Sequence, residues 1–194
     1  IIQRNFKEFF ISDDIDQENL TIEYSIDKKD YVYQNVKFIN LDISNLINDL
    51  ENYQSYENYV LKSGINYINK PIVVYGKLEI LPGAILIFQK DTFIKVNGQL
   101  IANGTLEEPI ILSTKSKNEF FNGIFVNGSG AYSNISNVFI NNIKSFRNSI
   151  QELDGALIFY NTNISIKNLQ IKNSSAEDAI NLVNSKINLI NLRI

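Results

Sequence analysis

From Tyr59 onward, apolar and polar residues alternate in short pieces punctuated by glycine, proline and asparagine. Val60-Leu61, Ile65, Tyr67-Ile68 and Ile72-Val-Val74 are separated by Gly64 and Pro71, and the pattern continues through Ile94-Lys-Val96, Pro109-Ile-Ile-Leu112, Gly123-Ile-Phe-Val126 and Ile135-Ser-Asn-Val-Phe-Ile140. A period of two predicts half-buried strands. Glycine at their ends supplies the backbone freedom that turns require. Upstream the pattern differs. Ile43, Leu46, Ile47 and Leu50 follow a helical stripe that Asp42 or Ser44 can cap, predicting one helix near 42–52. Leu20, Ile22 and Tyr24, then Val36 and Phe38, suggest two further strands. Residues 1–57 are therefore expected to form an N-terminal cap or linker region, and residues 58–194 an all-β body.

The alternation repeats at long range. Ile164, Ile166, Leu169 and Ile171 are followed 23 positions later by Ile187, Leu189, Leu192 and Ile194 (187 − 164 = 23). Phe159 maps onto Leu182, Asn161 onto Asn184 and Asn168 onto Asn191. Ile135 to Ile140 aligns with Ile166 to Ile171 at a spacing of 31 (166 − 135 = 31), which is one such period plus an eight-residue insertion placed in the polar stretch 145–153. A fixed period in the low twenties is the signature of stacked turns, each burying its apolar face against the next. The expected fold is a right-handed parallel β-helix, a solenoid with coils of about 23 residues, its open end covered by the N-terminal helix. Asn-Gly pairs at 97–98, 103–104, 122–123 and 127–128 also permit tight antiparallel hairpins. A hairpin meander does not explain internal positions matched one full period apart. Asparagines one period apart are expected to form ladders, because Asn tolerates left-handed backbone and its amide can bond the same amide one turn away.

Composition narrows the chemistry. Cysteine and histidine are both absent, which removes disulfides, thiolate nucleophiles, imidazole bases and the usual zinc and iron ligands. A net charge of −3 provides no basic footprint, so no nucleic-acid partner is expected. No apolar run reaches the roughly 18 residues of a membrane span. The chain begins at Ile1, without Met, and reads as a processed product or a fragment, continuing beyond Ile194.

Asp154 and Glu177 lie one period apart (177 − 154 = 23), with Asp178 adjacent, so the repeat places three carboxylates close together. Three readings stand: an acid and base pair of the glycosidase type, a Ca²⁺ site of oxygen ligands, or solvated turns that cap backbone N–H groups. Asp13, Asp14 and Asp16 lack the glycine and distal glutamate of a calcium loop and read as a solvated acidic turn. Tyr53, Tyr56 and Tyr59, like Phe120-Phe121, offer either a sugar platform or amphipathic packing.

Two motifs, each made of two stretches, carry a resemblance. Gly76-Lys-Leu-Glu-Ile-Leu-Pro-Gly-Ala84 and Val96-Asn-Gly-Gln-Leu-Ile-Ala-Asn-Gly-Thr-Leu-Glu-Glu-Pro-Ile110 look like opening coils of right-handed parallel β-helix proteins. Leu153-Asp-Gly-Ala-Leu-Ile-Phe-Tyr160 with Ala176-Glu-Asp-Ala-Ile-Asn-Leu182 resembles the β-helix region that accompanies CotH-type (spore-coat kinase-like) domains in secreted bacterial proteins. The Asp-rich turn that follows the second motif in that family is absent, and so are a phosphate loop and a kinase catalytic loop. The resemblance implies a structural or binding module of a secreted or cell-surface protein, facing polysaccharide or neighbouring subunits. The alternatives are a polysaccharide lyase or glycoside hydrolase using Asp154, Glu177 and Asp178, and a filament or fibre subunit.

Overall fold

The computed structural model describes residues 53–148 and 152–194, all within one unit of the chain. The helix expected near 42–52, the strands expected near Leu20 and Val36 and the Asp13 turn lie outside the described residues. Among the described residues every regular element is a strand, and no helix is long and apolar enough to cross a membrane.

The chain makes successive passes through the same two sheets. The first contributes β1 (Gln54–Tyr56), β2 (Tyr59–Leu61) and β3 (Gly64–Ile68), so strand structure begins a few residues before the expected boundary at 58. The second contributes β4 (Ile72–Val74), β5 (Lys77–Ile80) and β6 (Ala84–Phe88), and the third β7 (Ile94–Val96), β8 (Gln99–Asn103), β9 (Ile110–Thr114) and the short β10 (Phe121–Asn122). Next come β11 (Ile124–Asn127) and the long β12 (Tyr132–Lys144). The hairpin β13 (Phe146–Arg147) and β14 (Glu152–Leu153) intervenes before β15 (Gly155–Tyr160) and β16 (Asn163–Ser174), and β17 (Asp178–Val183) and β18 (Lys186–Arg193) complete the series.

Pairing is parallel throughout, apart from β13–β14. One sheet runs β1-β4-β7-β11-β15-β17. The other has ten strands and is nearly closed: β2-β5-β8 and β3-β6-β9 form two arms that meet at β12, whose first half pairs β8 and second half β9. Parallel neighbours that are distant in sequence rule out the hairpin meander allowed by the Asn-Gly pairs. The architecture is all-β, parallel and β-helix-like.

The register matches the repeat where the repeat is clearest. Ile164 pairs Ile187, Ile166 pairs Leu189, Leu169 pairs Leu192, and Phe159 pairs Leu182, each one full period on. Ile135 pairs Ile166 at the spacing of 31, and the extra residues form the β13–β14 hairpin. Elsewhere the interval varies. Along the first sheet it is 18 (72 − 54), 22 (94 − 72), 30 (124 − 94) and 33 (157 − 124) before settling at 23 (180 − 157). The long intervals contain loop segments 104–109 and 115–120 and the hairpin, which lie outside the two parallel sheets.

The inward residues build one column. Ile72, Ile94, Ile124 and Leu157 stack in one row, and Val74, Val96, Val126 and Phe159 in the next, all buried. Fully burying each such side chain contributes about 1.5–3 kcal/mol. Phe88 and Phe121 stack inside the column with ring centroids 4.1 Å apart, so Phe121 is a core residue rather than a surface platform. Tyr56 and Tyr59 stack at 3.9 Å and pack against the same core.

Asparagine marks the corners. Asn137, Asn142, Asn161, Asn168, Asn173, Asn184 and Asn191 all have φ between 47° and 63°. There the short amide side chain offsets the cost of left-handed backbone by bonding its neighbour. Asn191 Nδ2 donates to Asn168 Oδ1 at 2.9 Å, Asn168 Nδ2 to Asn137 Oδ1 at 2.9 Å, and Asn137 Nδ2 to the Gly104 carbonyl at 2.9 Å. The expected Asn184–Asn161 rung is present at 2.6 Å, and Asn173–Asn142 adds a third ladder at 3.1 Å.

Candidate functional site

Asp154 and Glu177 stand at equivalent places before successive strands of one sheet, and Asp178 follows Glu177. Asp154 immediately precedes β15, Glu177 immediately precedes β17, and Gly155 is the strand partner of Asp178. All three are exposed, and Asp178 Oδ2 accepts a bond from Asn181 Nδ2 at 3.3 Å. Among the described residues, no three acidic side chains converge closely enough to hold a metal ion.

A more elaborate arrangement lies on the outer face of the six-stranded sheet. Its outward row runs Ser55, Val73, Lys95, Phe125, Ile158 and Asn181, one residue from each strand. Val73, Phe125 and Ile158 are apolar, and on an open sheet face they would meet water. Instead the β13–β14 hairpin covers them. Phe146 and Leu153 of the hairpin, with Phe93 and Tyr53, form a second apolar cluster over Val73, Phe125 and Ile158. The rings interlock as an aromatic strip. Tyr53 meets Phe93 at 5.5 Å, Phe93 meets Phe146 at 5.2 Å, Phe146 meets Phe125 at 5.4 Å and Phe125 meets Tyr160 at 6.0 Å. Edge-on and tilted geometries of this kind suit the ring quadrupoles.

Lys95 is the one charged residue in that row, and it is half-buried. Its Nζ lies 5.7 Å from the Phe125 ring centroid, within cation–π range. Burial holds its pKa below the ordinary lysine value, because the charged form loses hydration. The ion pairs among the described residues join Lys77 to Glu79, Lys144 to Asp91 and Arg147 to Glu152, so among them Lys95 faces the ring with no carboxylate partner.

Two residues beyond each member of that row lie Glu57, Tyr75, Asn97, Asn127, Tyr160 and Val183, of which Tyr75 and Asn97 fall just past the ends of β4 and β7. Asn127 pairs Tyr160 in register, and the Asn97 backbone N–H donates to the Val74 carbonyl, carrying the ladder past the paired strands. Tyr75 and Tyr160 are exposed. Three strand spacings separate them, roughly 14 Å. Asn127 Oδ1 is shielded and meets no donor among the described residues.

Two shallow open depressions lie elsewhere, on the ten-stranded sheet. One is lined by Leu106, Phe139, Gln170 and Arg193, the other by Tyr132, Asn163 and Lys186. Neither combines a desolvated charge with an unmet polar atom.

No motif in the sequence marks the Lys95 face, although a signal exists. Ile72-Val-Val74, Ile124-Phe-Val126 and Leu157-Ile-Phe159 are apolar on both faces of their strands, the mark of a sheet covered on both sides. Ile94-Lys-Val96, between the first two of these, breaks the rule with a charge.

Comparison of the chain with protein-family models, curated proteins and solved structures finds no match to any of the three, so no family model supports the CotH resemblance.

Proposed function

We propose that residues 53–194 are the stacked body of a right-handed parallel β-helix that serves as a carbohydrate-binding module of a secreted or cell-surface protein. The observation that carries this reading is the pair of exposed rings Tyr75 and Tyr160 along the six-stranded sheet, with Asn97 and Asn127 between them. Aromatic rings present apolar faces for stacking against sugar rings, and carboxamides offer both donors and acceptors to hydroxyls. Repetition at the strand spacing suits a linear polymer, whose own groups repeat along its length, better than a compact small molecule. The CotH-type resemblance of residues 153–182 fits a secreted module of this kind but does not identify its ligand.

The test is affinity electrophoresis against a panel of neutral and acidic linear polysaccharides, with product analysis of the same mixtures in Ca²⁺ and in chelator. The expected result is retardation by at least one polysaccharide without shortened or unsaturated products. Product formation that is lost on Glu177→Gln would replace the binding module with a lyase or hydrolase acting at Asp154, Glu177 and Asp178. Binding to nothing in the panel would overturn the reading.

A further inference from the structure

We infer that Asn97 is a modification site: in the folded chain its side-chain amide is converted to an acid by the backbone nitrogen of Gly98 and water, ahead of every other Asn-Gly pair. The reaction is intramolecular. The Gly98 nitrogen attacks Asn97 Cγ, a new C–N bond forms, and the side-chain nitrogen leaves as ammonia with the proton that Gly98 gives up. Water then opens the cyclic imide at either carbonyl. The product is aspartate, or the isomer whose main chain runs through the former side chain. No oxidant or cofactor enters. Glycine favours the attack because no Cβ shields its nitrogen, so the candidates are the pairs at 97–98, 103–104, 122–123 and 127–128.

The fold separates these pairs, since an attacking nitrogen must be free of its hydrogen bond and within reach of water. Gly104 donates to the Ser136 carbonyl at 2.9 Å, Gly123 to the Phe121 carbonyl at 3.2 Å and Gly128 to the Tyr160 carbonyl at 3.0 Å, and all three glycines are buried. Their asparagines are held or covered as well. Asn103 Oδ1 accepts from Ser136 Oγ at 3.3 Å, Asn122 Nδ2 donates to the Arg147 carbonyl at 3.0 Å, and Asn127 Oδ1 is shielded. Asn97-Gly98 differs on each count. Gly98 lies just past β7, is partly exposed, and its N–H donates to nothing among the described residues. The Asn97 carboxamide is likewise partly exposed and unbonded among them. The flanking N–H groups of Asn97 and Gln99 donate to the Val74 and Gly76 carbonyls, so of three successive nitrogens the attacking one is left out of the ladder. Conversion puts a carboxylate, or a main chain lengthened by a methylene, on the surface between the exposed rings of Tyr75 and Tyr160.

The test is peptide mapping by mass spectrometry while the folded chain is incubated at mildly alkaline pH, with aspartate and isoaspartate quantified at each of the four pairs. Circular dichroism checks that the fold persists. Asn97 is expected to convert at least about tenfold faster than Asn103, Asn122 and Asn127, each of which must first open locally to release its glycine. In urea the four rates should converge, because the differences belong to the fold. Asn97→Gln should remove the first acidic species seen on ion exchange, since its longer side chain closes a larger ring more slowly. Survival of Asn97 in the folded chain for as long as the other three, or loss of all four together, overturns the assignment. So does an unchanged ranking in urea, which would place the difference in the local sequence instead of the fold.

Discussion

At the residue scale, two side chains carry opposite lessons. Asn168 is legible in the sequence because its backbone need and its partner both follow from the repeat. It sits at φ 55°, donates to Asn137 and accepts from Asn191. Asn168→Ala is expected to lose about 2–5 kcal/mol, combining left-handed strain of roughly 1–2 kcal/mol with two hydrogen bonds worth roughly 0.5–1.5 kcal/mol each. Asn168→Gly removes the strain and loses only the bonds, so urea denaturation should place it between the alanine variant and the parent. Equal loss for both would mean that backbone strain plays no part. Lys95 is not legible, because the Phe125 ring it faces belongs to a strand 30 residues further along the chain (125 − 95 = 30). Burial lowers its pKa, so between that lowered value and the unfolded value of about 10.4 the folded chain holds fewer protons than the unfolded one. Stability therefore rises with pH across that window, the desolvation penalty being present below it and gone above it. Tyr59 acts in the other direction: burial, then its hydrogen bond and charge interaction with Tyr56, raise its pKa, and stability falls as pH climbs through the range above 10.0. Melting curves of the parent and Lys95→Met over alkaline pH separate the two. The variant should be the more stable at neutral pH, and its advantage should vanish as pH rises. A constant difference would show that Lys95 titrates normally.

At the element scale, the strands can be read from the sequence while the excursions between them cannot. The eight-residue insertion is locatable because it interrupts an otherwise matched register, and it forms β13–β14. What it does is hidden. Phe146 is buried against Phe93 and Phe125, although its own surroundings in sequence are polar. The short early intervals along the six-stranded sheet and the long later ones also blur the period, since loops of different length leave the pairing intact but shift the count. Phe146→Ala is expected to cost about 3–5 kcal/mol and to uncover the outer face. The Lys95 pKa should then climb back toward the ordinary value, as followed by side-chain nitrogen chemical shifts. An unchanged lysine titration would show that the hairpin does not desolvate it.

At the scale of the whole molecule, stability comes from repetition, each pass burying the apolar rows of the one before. Phe159 is fully buried, whereas Leu182, its partner on the last described strand of that sheet, is 37% exposed. The parallel stack is the claim on which the ladders, the covered face and the proposed site all depend. Because the chain contains no cysteine, an engineered pair reports on it without background. Ser165 pairs Asn188 across adjacent strands, and Asn134 pairs Ser165 one strand further back. Neighbouring strands put Ser165→Cys and Asn188→Cys roughly 5 Å apart, within the reach of a disulfide, whereas Asn134→Cys and Asn188→Cys stand two strands apart at roughly 10 Å, beyond it. Mild oxidation should close the first pair nearly completely and add about 3 kcal/mol of stability in the chain-entropy account of a loop of this length, leaving the second pair as free thiols. Failure of the first pair to close, or equal closure of both, would contradict the stack.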